Sequence, residues 1–288
     1  MTVEHHTIPS TDPRLRRHVR HDSRSRQYTP DLTGLTLTYF NWPLTAGPLD
    51  QGDAGACTAG ASFTNLLLGP FAYNQTIDSA VTKAFGGWTQ QGIYSMYNDE
   101  ENLDGDGPYP PNDNGSTGLT AAKVLRAKGV ISGWTQTFSL EAALTAGQRQ
   151  PFITGTLWFN SMFTPDANGL VTVDPDSGVA GGHEYTVIGY DPMRGLVTFR
   201  NDWGAWGLDG TGVFMMEAER YGYLLEQQGD TTFFALPDQP APTPVAVDAW
   251  RLGRKFNRII YDNDRFAGVL ERADVAARVV ALLNEYGV

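Results

Sequence analysis

Apolar positions along this chain change their period near its middle. From Cys57, the run Cys-Thr-Ala-Gly-Ala-Ser-Phe-Thr-Asn-Leu-Leu-Leu puts Phe63, Leu66 and Leu67 on one side, which predicts a helix that begins at the cysteine. Helical spacing returns over residues 119–128 and 140–146. Beyond residue 150, β-branched and aromatic runs predict strands at 152–159, 171–173, 183–190, 195–201 and 212–216, and a short β-prone run at 35–40 precedes the helical half. A helix-rich half followed by a strand-rich half predicts an α+β architecture of two lobes.

The segments between these runs set the domain organisation. Residues 1–30 are polar, lack an apolar repeat and read as an N-terminal basic arm; residues 31–236 form the main domain. Residues 99–118, acidic and rich in Gly and Pro, read as a long surface loop. Asp104-Gly105-Asp106 within it looks like the start of a calcium loop, but the Gly and the bidentate Glu of that motif are missing at their positions, so no metal is expected. Residues 237–247 read as a Pro-rich linker and 248–288 as a C-terminal helical extension. In the extension, Val269, Ala273, Ala276, Val280 and Leu283 define one face of an amphipathic helix. That face either docks on its own domain or serves a partner or a second copy of the chain.

Charge narrows the partners. The net charge of −11 divides into +3 over residues 1–26, −15 over 27–247 and +1 over 248–288. An acidic body repels phosphates, which excludes nucleic acid as the expected partner. The arm carries His5, His6, His18 and His21, but no Cys or carboxylate cluster completes a ligand set, so it reads as a solvated extension rather than a metal site. No apolar run approaches the roughly 20 residues of a membrane helix, and none follows a basic start like that of a secretory signal. The expectation is no membrane association, no Sec export, and a cytoplasmic or virus-associated location. A lone cysteine forms no internal disulfide, which fits a reducing compartment.

The candidate chemistry sits in three short segments. Cys57 is the only cysteine, and it follows Gln51 in Asp50-Gln51-Gly52-Asp53-Ala54-Gly55-Ala56-Cys57. His183 is the only histidine after position 21, in Gly181-Gly182-His183-Glu184-Tyr185, and Asn201-Asp202-Trp203-Gly204 comes after it. A thiol nucleophile needs a base, and the base needs a third group to hold its ring. Strand alternation puts His183, Tyr185 and Val187 on one side and Glu184, Thr186 and Ile188 on the other.

These segments resemble the papain-like cysteine peptidases, a family that places its His and Asn roughly 130 to 150 residues after its Cys. Here the separations are 126 and 144 residues, and the resemblance spans about residues 35–216. It implies a papain-like two-lobe fold, with a helical left lobe, an antiparallel β right lobe and the active-site cleft between them. It further implies a cysteine endopeptidase, needing no cofactor or metal, that hydrolyses peptide or protein substrates through a thioester. Cys57 would be the nucleophile, its thiolate favoured by a helix N-terminus and an imidazolium. His183 would be the general acid/base, Asn201 would orient it and Trp203 would shield that bond from water. Gln51, with the backbone N–H of Cys57, would form the oxyanion hole.

Substrate contacts implied by the resemblance are Glu184, Gly115, Gly118, Trp203 and Trp206. Glu184 stands where relatives carry a small residue lining a pocket; it either favours a Lys or Arg in the substrate or turns to solvent or a local Arg. Thr58 and Asp202 replace the usual Trp and Ser beside the nucleophile and the asparagine. Relatives carry long helical propeptides, whereas only 30 to 40 residues precede the domain here. Such an arm forms no globular cap, and gating by an arm lying across the cleft is expected instead. Two other outcomes stay open: transfer to an amine in place of water, and a catalytically inactive papain-fold protein acting in binding or assembly.

Overall fold

The structure, a computed structural model, describes residues 3–22 and 24–239. Most of the Pro-rich linker and the whole C-terminal extension, with its amphipathic stretch, lie outside the described residues.

In chain order the elements are β1 (Val3–His6), β2 (Val19–Asp22), β3 (Phe40–Asn41), α1 (Cys57–Leu66), α2 (Gln75–Phe85), α3 (Gln90–Asp104), α4 (Gly118–Ala127), β4 (Gly133–Thr137), α5 (Leu140–Gly147), β5 (Phe152–Phe159), β6 (Val179–Asp191), β7 (Leu196–Arg200), β8 (Val213–Glu217), α6 (Ala218–Glu226) and β9 (Asp230–Ala235). Strands β1 and β2 pair with each other. The main sheet is antiparallel in the order β4-β9-β5-β6-β7-β8, with β3 paired to β6.

Alternation along the strands divides two apolar cores. Phe152, Tyr185, Val187 and Phe233 enter one with Trp158, Phe199, Phe214 and helices α5 and α6. Their neighbours Ile153 and Phe234 enter the other with helices α1 to α4. Every residue of α1 is buried, although half of them are polar or glycine, so this helix runs through the interior with close neighbours on all sides. Side-chain caps start the surrounding helices: Asn74 for α2, Thr89 for α3, Thr117 for α4 and Ser139 for α5. Left-handed glycines, Gly86 and Gly105, end α2 and α3.

Three expectations need correction. The proposed loop at 99–118 begins inside α3, which continues to Asp104. Glu100 and Glu101 are buried there, because the carboxylate of Glu101 accepts from Tyr97 Oη, Asn114 N and Gly115 N instead of water. The run at 171–173 is not a strand, although Val171 N–H bonds Met215 O at 2.9 Å, and only Phe40–Asn41 of the 35–40 region pairs with the sheet.

The third correction concerns the arm, which is not a solvated extension. Leu15 and Arg17 are fully buried, and His18, Val19 and Asp22 nearly so. Its positive charge is spent on the acidic body: Arg16 pairs with Asp113, Arg17 with Asp230 and Arg20 with Asp104. The same Asp104 that suggests a calcium loop therefore meets a guanidinium, and its other oxygen accepts from Ser116.

Candidate active site

Cys57 is the first residue of α1, so its thiol sits at the positive end of the helix, as the apolar spacing predicts. The glutamine loop is sewn to the segment after β7: Gln51 N–H bonds Asp202 O at 2.8 Å, and Gly204 N–H bonds Leu49 O at 2.9 Å. That stitching brings Gln51 beside Asn201 and Trp203, 150 residues away in sequence. Gly60, one turn along α1, lets Asp202 approach, since a β-carbon there would collide with its carboxyl group.

His183 lies on β6 with Nε2 2.7 Å from Asn201 Oδ1. A carboxamide oxygen only accepts, so Nε2 carries the hydrogen and Nδ1 holds the free lone pair. Nδ1 has no hydrogen-bond partner among the described residues. The next residue, Glu184, turns its backbone N–H to the sulfur of Cys57. The indole of Trp203 lies 4.7 Å from the imidazole at a 31° tilt, and its Nε1 donates to Gln51 Oε1 at 3.1 Å. Trp158 meets the other edge of the imidazole at 5.1 Å.

Three buried carboxyl groups surround the start of α1. Thr58 Oγ1 donates to Glu100, which explains a threonine where a larger packing group was expected. Asp202 lies 3.7 Å from His183 Nε2 with no hydrogen-bond partner on either oxygen, and Glu184 lies on the opposite face of β6. Burial pushes all three carboxyls well above the ordinary carboxylate range. Burial also lowers His183 to about 3, against the opposing pull of the Asn201 hydrogen bond. His183 Nε2 and Asp202 Oδ1 are 3.7 Å apart, but burial disfavours the charged form of each, which works against an ion pair between them. Cys57 is pushed up by burial, then by Asp202 and Glu184. Burial thus disfavours the charged forms of both members of the expected thiolate–imidazolium pair in this conformation.

The arm lies over this buried site. Residues 12–18 cross the site, and Gln51, Cys57, His183 and Asn201 are all inaccessible beneath and beside them. Asp12 caps the turn by accepting from Arg14 N at 2.9 Å and pairs with the Arg14 side chain at 2.7 Å. The Arg14 guanidinium lies 4.3 Å over the Trp203 ring, and its carbonyl accepts from Gln51 Nε2 at 3.3 Å. Arg17 N–H bonds Gly182 O at 3.0 Å on one wall, and His18 N–H bonds Ser116 O at 2.7 Å on the other.

The expected substrate-contacting residues fall in different places. Gly115 faces the arm with φ 92°, and a β-carbon there would strike the Arg16 carbonyl. Gly118 starts α4 and abuts the Glu184 carboxyl group. Glu184 does not reach solvent; its Oε2 lies 3.8 Å from Arg17 Nε. Trp203 stacks beside the histidine, while Trp206 packs farther out on Trp203 and Trp158 and donates to Phe163 O at 2.9 Å. Sequence reasoning missed Asp230, the first residue of β9, whose Oδ2 binds Arg17 Nη2 at 2.5 Å. The β-rich run Asp-Thr-Thr-Phe-Phe-Ala was the available signal. Among the described residues no cluster of His, Cys, Asp and Glu is arranged to hold a metal, and no helix is long and apolar enough to cross a membrane.

No family model and no curated protein sequence matches this chain. Solved structures do. Xylellain, a cysteine protease from Xylella fastidiosa, superposes with a TM-score of 0.50 at 18% identity, over 75% of this chain and 93% of its own. Digestive procathepsin L 3 of Tenebrio molitor aligns with a TM-score of 0.44 at 15% identity, over 76% of each chain. Bromelain from Ananas comosus aligns at 0.37 and 18% identity, over 67% of this chain and 94% of its own. At 18% identity the similarity to xylellain speaks to architecture, and the mixed helical and antiparallel arrangement agrees with it: this chain has a papain-like α+β fold.

Proposed function

We propose that this protein is a cysteine peptidase held in a resting state by its own arm. The observation that carries the proposal is the His183–Asn201 hydrogen bond of 2.7 Å, which leaves the Nδ1 lone pair free on the strand residue just before Glu184, whose backbone meets the Cys57 thiol at its helix N-terminus. With the arm displaced, solvent and the helix end favour ionisation of Cys57, and Nδ1 takes the thiol proton. The thiolate then attacks the carbonyl carbon of a peptide bond, and the oxygen takes up negative charge near Gln51 Nε2 and the Cys57 N–H. As the C–N bond breaks, His183 returns the proton to the leaving amine and a thioester remains. Water attacks the thioester, the acid departs and the thiol is restored. An amine in place of water gives transfer through the same atoms.

Full burial of Cys57 supports a second reading, an inactive papain-fold protein used for binding or assembly. An epoxide inhibitor of papain-like enzymes separates the two. On the peptidase reading, removing residues 1–30 speeds labelling, Cys57→Ala abolishes it, and the truncated chain cleaves unfolded protein substrates. Truncated, folded protein that takes no label and cuts nothing would leave the scaffold.

A further inference from the structure

Resting on the peptidase reading, we propose that the pocket closed by Glu184 and Asp230 is built to take an arginine side chain of the substrate, and that Arg17 of the arm is its resident occupant. Arg17 is a fully buried arginine in a segment where Leu15, His18 and Val19 are buried as well, while Arg14, Arg16 and Arg20 stay partly exposed. Its Nη2 donates to Asp230 Oδ2 and to Gln228 O at 3.1 Å, and its Nε points toward Glu184 Oε2 at 3.8 Å. His21 Nε2 stands 3.9 Å from the same Asp230 oxygen at the pocket's outer side.

Glycines make the room. A β-carbon at Gly155 would collide with both Arg17 Nε and Glu184 Oε2, one at Gly118 would crowd Glu184 Oε1, and one at Gly182 would strike the Arg17 carbonyl. The backbone of the arm is held from two sides, by Gly182 O and Ser116 O, as an extended peptide would be. Burial and the nearby Asp230 push Glu184 toward its neutral form, while the Arg17 guanidinium pulls the other way.

The geometry also separates arginine from its rivals. One nitrogen of the planar guanidinium, Nη2, divides its two hydrogens between the Asp230 carboxylate and the Gln228 carbonyl, a fixed fork that the single point charge of an ammonium does not reproduce. An apolar side chain would leave Asp230 and Glu184 buried without a cation. Asp230 and Glu184 are therefore specificity-determining residues, and the basic arm is held by the same contact that selects the substrate.

The test uses the full-length chain and a readout that needs no catalysis, alkylation of Cys57 by iodoacetamide. Arg17→Ala is expected to speed alkylation at least about tenfold by vacating the pocket. A synthetic peptide of residues 12–18 should then slow it again, whereas the same peptide with leucine in place of the arginine should not. Adding Asp230→Asn should remove the advantage of the arginine peptide. Equal protection by the two peptides, or an arginine advantage that survives Asp230→Asn, would overturn the proposal. Arg17→Lys, which keeps the charge and loses the fork, gives the same comparison should the alanine variant not fold. Paired peptide substrates that carry Arg or Leu at one position on the acyl side of the cleaved bond, with that position varied in turn, separate this inference from the one beneath it. Arginine-selective protection without cleavage of any substrate would retire the peptidase and leave the pocket; equal cleavage within every pair would retire the pocket and leave the peptidase.

Discussion

Gln51 Nε2 donates to Ala54 O at 2.6 Å and reaches the Arg14 main-chain carbonyl at 3.3 Å. The amide that the proposed chemistry aims at a developing oxyanion is thus satisfied in the resting molecule by a neutral carbonyl of its own loop, with a second, longer bond to a carbonyl of the arm. Its other end is fixed by the Trp203 indole, so the donor is oriented before any substrate arrives.

Removing that donor should separate two reactions of one sulfur. In an Arg17→Ala background, Gln51→Ala should lower kcat for peptide cleavage by about 10²–10³-fold. Alkylation of Cys57 by iodoacetamide passes through no oxyanion and should change only a few-fold. Parallel kinetics on the two variants checks this; equal losses in both reactions would assign Gln51 to the thiol or to packing.

Salt should loosen the arm. Arg16–Asp113 at 3.6 Å and Arg20–Asp104 at 2.5 Å are partly exposed pairs. Such pairs weaken as the screening length shrinks from about 10 Å at 0.1 M to about 3 Å at 1 M. Alkylation of wild-type Cys57 should therefore accelerate with sodium chloride, and Asp113→Asn at low salt should act in the same direction. A rate independent of salt would place all of the holding energy in the buried contacts of Leu15 and Arg17.

Acid should act through His183. Its folded-state value of about 3 lies below the ordinary 6.5, so the unfolded chain binds the extra proton between those values. Stability from this group is present above pH 6.5 and is lost toward pH 3, by up to about 1.4 kcal/mol per pH unit. Arg14 from the arm adds to the lowering and Asp12 opposes it, while Asp202, which faces the ring, is itself pushed by burial toward its neutral form. Because other acids titrate in the same range, the measurement is a difference. Denaturant melts from pH 7 to pH 4 should fall more steeply for the wild type than for His183→Gln, and parallel curves would show that the ring is charged in the fold.

Asp202 carries the opposite sign. Its value is raised by burial, so above the ordinary 3.8 the folded state holds a proton that the unfolded chain has released. This group costs stability as pH rises, by up to about 1.4 kcal/mol per unit until its own titration in the fold. Asp202→Asn should raise the melting temperature at pH 7, with a smaller gain at pH 4. The same gain at both pH values would mean that the carboxyl group is ionised in the fold.

The parts of the site that were legible in sequence are those whose meaning lies in short contexts. Cys57 at a helix start and His183 within an alternating strand are local statements, and the fold places Tyr185 and Val187 in the β-side core and Thr186 against α1, as alternation requires. Asp230 was hidden because its role depends on β9 pairing with β5, some 75 residues away, which no local pattern reports. The helical 99–104 stretch was misjudged because acidic residues usually signal water, whereas Glu100 and Glu101 find their donors inside the protein. The arm misled for a related reason: six arginines look solvated until the acids that receive them are brought near by folding.

The covalent continuity of residues 12–18 with the domain they cover makes their docking unimolecular. Dilution leaves the covered fraction unchanged, and the local concentration of the plug, on the order of millimolar for a short flexible tether, exceeds that of most free competitors. Exposure of the thiol therefore calls for an event on the strap itself, such as a cut, a pull or a partner that grips its arginines, rather than for the mere arrival of a weakly bound peptide.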